Sequence, residues 1–399
     1  MKLYKQFFKA LTAVLLFIFM QGYQQAAAVP SSLIMQRGET HSLPPYLSAY
    51  APKDSFLFKN NQVIPTQSGT FAMHFSLLGL FPKTTDVQVV EPATVTLGGE
   101  TVGIKLFLDG VLVVGISEIP GSERKSPGRD AGIQVGDRIL RAGGKTLRDS
   151  DMLNSIVENS EGKPITLSVC RGEEEWDTVV TPVYYAEGGA YKLGLWVRES
   201  TAGIGTVTFS LPEKNVYAAL GHGIEDPDAG TMLAVAKGSI TDCDIAQIIP
   251  GEQGSPGELR GVFHAKDIGT VDKNISVGIY GHLQHSLGDT VRVPIAVSTQ
   301  VKSGAAQIFC EVDGAVRGYN AEIEKLLPYS TNSTKSMILH VTDEQLLAQT
   351  GGIVQGMSGS PIVQDGRLVG AVTHVFVNDP TRGYGIFAET MLDALHEAA

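Results

Sequence analysis

The chain has 399 residues, of which 43% are hydrophobic and 18% charged, and its formal net charge at pH 7 is −11. This length suits two or three domains, and the supply of apolar residues excludes general disorder. No long basic run follows the first residues, so the chain lacks the electrostatic footprint of a nucleic-acid-binding protein. Forty-five glycines and many short Val/Ile/Thr runs predict a mainly β chain with numerous tight turns.

Residues 1–28 have the pattern of an export signal. Three lysines in the first nine residues precede an apolar run from Ala10 to Met20, and small residues follow at Ala26 to Ala28. The run is shorter than the roughly 20 residues of a membrane helix, although counting from Phe7 lengthens it. We therefore expect a signal peptide or an uncleaved membrane anchor, with the bulk of the chain outside the cytoplasm.

Residues 29–84 form a polar, weakly patterned region that is predicted to be a linker or pre-domain, with a strand starting near its end over Asp86 to Thr96. Cys170, Cys243 and Cys310 are widely spaced and form no CxxC or Cys/His metal spacing. We therefore expect buried free thiols, and the sequence supports neither a zinc site nor a cofactor.

Residues 85–183 contain the specific motif Ser-Pro-x-x-x-Ala-Gly-Ile-x-x-Gly-Asp-x-Ile-Leu from Ser126 to Leu140, followed by a predicted capped helix over Asp149 to Val157. By this motif, the region resembles a PDZ domain of the bacterial protease type. A PDZ domain adds an extended peptide to a sheet edge. The resemblance implies that the amides around Gly103 and Ile104 hold the peptide's carboxylate, with the helix as the other wall. The alternative is a groove filled by this protein's own chain, so that the module only braces the next domain.

Residues 184–399 are predicted to be a β sandwich or barrel, because short strands and Gly-rich turns dominate. Tyr184 to Gly189 has the composition of a hinge. Short helices are predicted only over Ala321 to Leu327 and Thr390 to Glu397.

The run Gly356-Met357-Ser358-Gly359-Ser360-Pro361 is the strongest chemical signal. Glycines permit a tight loop that presents the Ser358 hydroxyl while the amides of Gly356 and Ser358 converge on one point. That point is where a tetrahedral intermediate carries negative charge. The plainer interpretation is a Gly-Ser turn between two strands.

A serine nucleophile needs an adjacent base, usually a histidine oriented by a carboxylate. His222, in Gly221-His222-Gly223, is the best base, and His374 is its rival because it follows the strand after Ser358. Spacing alone does not choose the acid, since triad partners are neighbours in space rather than in sequence. The acidic residues between His222 and Ser358 include Asp226, Asp228, Asp242, Asp244, Asp267, Asp272, Asp289, Asp313 and Asp343.

Several motifs occur in one order: Gly-His-Gly-Ile at His222, Gly-Ser-Pro-Gly-Glu-Leu-Arg-Gly from Gly254, Gly-Met-Ser-Gly-Ser-Pro at Ser358, and Ala-Val-Thr-His-Val-Phe-Val-Asn-Asp-Pro from Ala371. Together with the PDZ-like region, they closely resemble the stage IV sporulation protein B serine peptidases of endospore-forming bacteria. That family is grouped with chymotrypsin-like peptidases, which implies two β-barrels with the site in the cleft between them.

The resemblance also implies roles for residues. Ser358 would be the nucleophile, His222 the general base and Asp343 the orienting acid. Chymotrypsin-like folds usually place the acid soon after the histidine, and in that order Asp242 or Asp244 replaces Asp343. Ser360 is a second nucleophile to consider, but the Gly-x-Ser-Gly pattern favours Ser358.

The family's role implies a peptidase exported from the forespore into the intermembrane space, with self-cleavage expected within residues 29–75. Its target would be a regulatory subunit of a membrane complex, stage IV sporulation protein F, whose cleavage releases processing of a late sigma factor. The competing hypothesis is a non-catalytic PDZ scaffold with a vestigial serine loop. A lipase-type hydrolase is disfavoured, because no alternating β-α pattern surrounds the serine.

Overall fold

The computed structural model describes residues 32–43, 47–52, 54–77, 80–121, 126–285, 291–327 and 332–398. The chain divides into two compact units: the residues before Val95 together with Pro294–Lys302, and Val95–Val293 together with Ser303–Ala399. The predicted export signal, residues 1–28, lies outside the described ranges. Within those ranges, no helix is long and apolar enough to span a bilayer.

The first unit is a small β structure with its own core, in the region that the sequence predicts to be a linker or pre-domain. Its strands are β1 (Ser32–Gln36), β2 (His41–Ser42), β3 (Leu47–Tyr50), β4 (Phe56–Lys59), β5 (Gln62–Pro65), β6 (Gly69–Leu77) and β7 (Leu80–Val90). They form two sheets, in the orders β1-β7-β6-β3 and β2-β5-β4. Apolar side chains of β6 and β7 alternate inward, as the two-residue period of a strand requires, and pack around Phe56.

The strand expected over Asp86 to Thr96 is interrupted in the structure. β7 ends at Val90 and the next strand begins at Thr94. Pro92 lies in the gap, and proline lacks the backbone N–H that a sheet ladder needs.

The rest of the chain is dominated by strands, several of them long. Short 3₁₀ turns occur at Ser298–Gln300 and Ser333–Lys335. The strands and helices are β8 (Thr94–Leu97), β9 (Thr101–Ile116), α1 (Pro127–Asp130), β10 (Arg138–Ala142), β11 (Lys145–Thr146), α2 (Ser150–Asn159), β12 (Ile165–Arg171), β13 (Glu174–Val180), β14 (Val183–Tyr185), β15 (Ala190–Lys192), β16 (Leu195–Leu211), β17 (Val216–Ala219), β18 (Val235–Ile249), β19 (Glu258–Val271), β20 (Lys273–Ile275), β21 (Gly278–His282), β22 (Arg292–Pro294), β23 (Gly304–Glu311), β24 (Val316–Leu326), β25 (Met337–Val341), α3 (Glu344–Thr350), β26 (Pro361–Gln364), β27 (Arg367–Phe376), β28 (Asp379–Phe387) and α4 (Ala388–Ala398).

The PDZ domain forms around β10, β12 and β13, together with one end each of β9 and β16. α2 confirms the predicted capped helix, since the Asp149 carboxylate accepts a 2.7 Å hydrogen bond from the amide of Met152. The buried Asp137 of the Gly-Asp motif accepts two hydrogen bonds from Arg171, at 2.7 and 2.8 Å. A buried charge needs such a partner, so this pair explains the aspartate of the motif.

The first barrel shares its two longest strands with the PDZ domain. β9 and β16 remain paired from the PDZ sheet into the barrel, where β18 covers the other edge of β9 and β17 and β21 follow β16. A bridge between Gly269 and Leu283 brings β19 to the end of β21 and closes the ring. Ile104, Leu106 and Tyr217 lie in its core. Because the strands are continuous, the PDZ domain and this barrel share one sheet.

The second barrel is a closed ring of β23-β24-β25-β28-β27-β26, with α3 and α4 in the connections and at the end of the chain. The terminal helix confirms the prediction over Thr390 to Glu397. The helix predicted over Ala321 to Leu327 is wrong, because this stretch belongs to β24. Tyr319, Ala321 and Ile323 are buried at alternate positions, which is the period of a strand. The fold is therefore mainly β, with a PDZ domain and two barrels, as predicted.

Two glutamates lie close together where β9 starts and β23 ends. Glu311 accepts a 3.0 Å hydrogen bond from the amide of Thr101, whereas Oε2 of Glu100 is buried and has no hydrogen-bond partner among the described residues. Burial raises the pKa of Glu100, and the charge of Glu311 raises it further. Ionising Glu100 in the folded protein is therefore unfavourable.

We expect Glu100 to make the fold less stable as pH rises. Its pKa is higher in the folded than in the unfolded chain, so its stabilising effect is present below its ordinary value of 4.5 and is lost as pH rises through the raised pKa. Glu100→Gln cannot ionise and should therefore remove this loss of stability. Urea unfolding between pH 4 and 8 measures the effect. A tenfold change in the acid dissociation constant on folding corresponds to about 1.4 kcal/mol of unfolding free energy. The exposed Glu173→Gln is the control, and equal curves for both variants would contradict the expectation.

Candidate active site

Three of the residues that the sequence singled out for chemistry line a cleft of about 930 Å³ between the two barrels. His222 lies on the first-barrel wall, and Ser358 and His374 lie on the second-barrel wall. The remaining walls are largely apolar, with Glu225 as the acidic residue that lines the cleft. The structure therefore brings residues 222 and 358 to one cavity although they are far apart along the chain.

The loop that carries Ser358 runs from the end of α3 to the start of β26, and β16 holds it by its carbonyl groups. The buried Thr206 donates from its hydroxyl to Gly356 O at 2.9 Å and from its amide to Ser358 O at 2.9 Å. Thr208, also buried, donates to Gly359 O at 2.7 Å. Three carbonyls of the loop are therefore tied to strand β16 of the first barrel, and its amides have separate partners or none.

Two of those amides are unpaired. Within the described part of the chain, neither Gly356 N nor Ser358 N donates to any protein group, whereas Met357 N and Gly359 N do so at 3.1 and 2.8 Å. Gly356 has φ +100°, a conformation open to glycine. Gly359 is at φ +97°, where a Cβ would lie 2.1 Å from Thr206 O. The unpaired amides are the pair for which the sequence predicted an oxyanion hole.

His222 follows a sharp turn made by Leu220 and Gly221, at φ +68° and +69°. Its ring nitrogen Nδ1 lies 2.8 Å from Gly223 O. A carbonyl oxygen only accepts hydrogen bonds, so Nδ1 carries the proton and the lone pair of neutral His222 is on Nε2. This is the tautomer that a general base requires, and sequence reasoning missed the carbonyl that sets it.

Ser358 and His222 face the same cleft without a hydrogen bond between them. The Ser358 hydroxyl donates instead to Thr373 O at 3.0 Å. A neutral hydrogen bond of this kind contributes about 1 kcal/mol, so releasing the hydroxyl from Thr373 O costs little.

His374, the rival base, stacks against His222 with ring centroids 5.0 Å apart. Desolvation, and then the neighbouring His222 and Lys335, lower the pKa of His374 to about 4. Burial also lowers the pKa of His222, which the Gly223 carbonyl and the charge of Glu225 partly oppose. A base with a pKa far below neutrality is a weak proton acceptor, and these environments therefore favour His222.

Asp343 does not take the position of a triad acid. It is the N-cap of α3, and its carboxylate accepts hydrogen bonds from the amides of Gln345, Leu346 and Asn320 at 3.0, 3.1 and 3.1 Å. It is not part of the cleft lining. A residue that starts a helix has the same short polar side chain as a triad acid, so the sequence alone did not separate the two roles.

The rivals Asp242 and Asp244 lie elsewhere as well. Asp242 is an exposed residue of β18, and Asp244 forms a 2.8 Å contact with His264. Ser360, the second serine, is fully buried, and its hydroxyl has no hydrogen-bond partner among the described residues. Of the two serines of this loop, Ser358 therefore lines the cleft and Ser360 does not.

We expect Asp343→Asn to act on stability rather than on catalysis. The amide oxygen of asparagine still caps a helix, so the free energy of unfolding should fall by at most about 1 kcal/mol in this variant. In Asp343→Ala, which has no capping group, it should fall by about 1–2 kcal/mol. Chemical denaturation and peptidase rates of both variants measure this. An inactive Asp343→Asn of unchanged stability would restore Asp343 as the acid of the site.

The PDZ peptide site is not where the sequence placed it. Gly103 pairs with Ile204 and Thr241, and Ile104 with Gly203 and Ile240, so β16 and β18 occupy both edges of β9 at these positions. Their amides do not hold a carboxylate, because they belong to the barrel sheet. The physical reason is the length of β9, whose first half serves the barrel and whose second half serves the PDZ domain.

A groove of about 440 Å³ lies instead beside α2, which is one of its walls as predicted. The opposite wall consists of Ser117–Pro120, of Leu193 and Gly194, and of the first residues of β16, Leu195 to Val197. The apolar-Gly-apolar run Leu193-Gly194-Leu195 is the sequence signal that could have located it, with Gly194 at φ +71°.

The family model described as SpoIVB peptidase S55 matches residues 189–392, and a PDZ domain model matches residues 118–171. The chain belongs to the SpoIVB peptidase S55 family. The matched region contains both His222 and Ser358.

Other similarities of this SpoIVB-family peptidase are partial. A stretch of 70 residues is 39% identical to a putative zinc metalloprotease, all3971, of Nostoc sp., covering 16% of this chain and 19% of that protein. The chain thus spans about a fifth of the length of that curated relative.

Two solved structures are similar to parts of the chain. The Rv3671c protease of M. tuberculosis in its active form has 12% identity over 51% of this chain and 75% of its own, with a TM-score of 0.32. The PDZ domain of the SdrC-like protein Lmo2051 of Listeria monocytogenes has 17% identity over 22% of this chain and 87% of its own, with a TM-score of 0.19.

Proposed function

We propose that this peptidase is a serine endopeptidase in which Ser358 is the nucleophile and His222 the general base. The observation that carries the proposal is the hydrogen bond from His222 Nδ1 to Gly223 O, which leaves Nε2 free as a base in the cleft that also exposes Ser358. The unpaired amides of Gly356 and Ser358 support it, because they complete the parts that acyl transfer needs.

In the proposed reaction, Ser358 Oγ attacks the carbonyl carbon of the scissile peptide bond while its proton passes to His222 Nε2. The two amides stabilise the resulting oxyanion, and His222 returns the proton to the leaving amine. Water then hydrolyses the acyl-enzyme by the same route, and Ser358 regains its proton. The Gly223 carbonyl acts where a triad has a carboxylate, with Glu225 as the acidic group that favours the imidazolium.

The biological role that we propose follows from family membership. The peptidase would be exported from the forespore, held or released by residues 1–28, and would cut its own chain within residues 29–75. It would then cleave the regulatory subunit of the stage IV sporulation protein F membrane complex and so trigger late sigma-factor activation. The PDZ groove beside α2 would bind its own chain and that target, since PDZ domains accept extended peptides.

Labelling with a fluorophosphonate tests the serine mechanism. We expect a single adduct on Ser358, located by peptide mass spectrometry. Because His222 must be neutral to act and burial lowers its pKa, the labelling rate should fall with decreasing pH through a midpoint below 6.5. A midpoint above 6.5 would contradict the tautomer and burial assigned to His222.

The competing proposal is the non-catalytic PDZ scaffold. A folded sample that gives no adduct, together with peptide binding at the α2 groove, would favour it. The unpaired amides at Ser358 argue for the enzyme, since a vestigial loop has no requirement to keep two donors open.

A further inference from the structure

A buried ion pair links the loop after His222 to strand β16. Asp226, fully buried, pairs through Oδ2 with the guanidinium of Arg198, which also donates to Asp228 at 2.7 Å. Oδ1 of Asp226 accepts the amides of Asp228 and Ala229, each at 2.9 Å. Both carboxylate oxygens are therefore used. A buried charge that loses its partner is strongly destabilised, so the loop conformation depends on Arg198.

The loop closed by this pair is continuous with the general base. Asp226 N donates to Thr231 O at 2.9 Å, and Leu233 N donates to Ile224 O at 3.0 Å, so the chain returns on itself four residues after His222. Asn274 ties the two sides, donating to Ile224 O at 2.8 Å and to Leu233 O at 3.0 Å. The Asp226 turn therefore lies three residues after the carbonyl of Gly223, which sets the His222 tautomer.

The strand that bears Arg198 also holds the nucleophile loop. Thr206, eight residues further along β16, binds the carbonyls of Gly356 and Ser358. One strand therefore holds the His222 loop at one point and the Ser358 loop at another. Acyl transfer is sensitive to the relative position of base and nucleophile, and a displacement of about 1 Å can cost about 100-fold in rate.

We infer that Arg198 is a positioning residue, which fixes His222 opposite Ser358 by holding the buried Asp226 to β16. The inference rests on the proposed serine mechanism, and it assigns Arg198 no contact with substrate. The groups that face the His222 ring are Glu225 and His374, neither of which Arg198 contacts.

The test compares the full chain with Arg198→Gln, Arg198→Lys and Asp228→Asn. We expect Arg198→Gln to lower the fluorophosphonate labelling rate about 10- to 100-fold, with Arg198→Lys in between because lysine offers a single charged group for two carboxylates. Asp228→Asn should stay within about twofold, since Asp228 is half exposed and the buried pair remains. Val169→Ala, in the PDZ core, is the control for a general loss of stability.

The second readout is the titration of the His222 ring by NMR, assigned by its loss in His222→Asn. In Arg198→Gln the released loop admits water, so the lowered pKa of His222 should move up toward its ordinary value, and Val169→Ala should not move it. An unchanged titration and labelling rate in Arg198→Gln would overturn the inference. A wild type that titrates as expected but is never labelled would instead refute the serine mechanism.

Discussion

Ser358→Ala is expected to abolish peptidase activity and self-processing while the protein stays folded. The Ser358 hydroxyl donates to Thr373 O, so its removal leaves one carbonyl without this donor and costs little stability. Removing the nucleophile of such a site typically lowers kcat by about 10⁶-fold. Mass spectrometry of the purified wild type beside the variant measures this, and it reports the positions of self-cleavage at the same time.

Ser360→Ala is the matched control, two residues along the same loop. Its hydroxyl is fully buried without a hydrogen-bond partner among the described residues, so its loss should leave activity unchanged and stability unchanged or slightly raised. Fragment patterns that are the same in the wild type and Ser358→Ala, but altered in Ser360→Ala, would transfer the nucleophile role to Ser360.

His222→Ala should lower the acylation rate about 10²- to 10⁴-fold, the usual contribution of a general base. The reason lies in the two ring environments: His222 donates to a carbonyl that sets its tautomer, whereas the pKa of His374 is lowered to about 4. His374→Ala should therefore cost less than about tenfold. Single-turnover labelling of Ser358 at pH 7 compares the two variants directly.

The same pair of variants has a second consequence for pH. The ring of His374 packs against that of His222, so removing it exposes His222 to water. The pH midpoint of labelling should then rise toward 6.5 in His374→Ala. If His374→Ala is the more damaged variant, the base is His374 and the mechanism proposed above is wrong.

Local patterns in the sequence were enough to predict secondary-structure elements and the loops that carry Ser358 and His222. The Ser126–Leu140 motif and the Asp149 cap predicted the PDZ domain, because turn and capping residues act within a few positions of themselves. The Gly-x-Ser-Gly run predicted an exposed serine with open amides for the same reason. By contrast, Ala321 to Leu327 was predicted as a helix, although burial at Tyr319, Ala321 and Ile323 follows the period of a strand.

Those local patterns did not predict which strands and side chains, far apart along the chain, contact each other. Gly103 and Ile104 were assigned to a peptide site through the resemblance to a PDZ domain, but which strands flank β9 depends on residues about 100 to 140 positions away. Asp343 was assigned to the triad through the family resemblance, but its carboxylate is used by the amides of α3. In both cases the deciding contacts involve backbone groups, which carry no sequence signature.

The sequence by itself determined that the chain is mainly β and that Ser358 and His222 are the candidates for the chemistry, since these depend on short motifs and residue periodicity. Its resemblance to known families added the expectation of a PDZ domain before a peptidase domain. Only the tertiary structure decided what orients His222, where the peptide groove lies, and that β16 holds both candidate catalytic loops. The physical reason is that a carbonyl, a sheet edge or a buried ion pair acquires its role from whichever part of the chain folds against it.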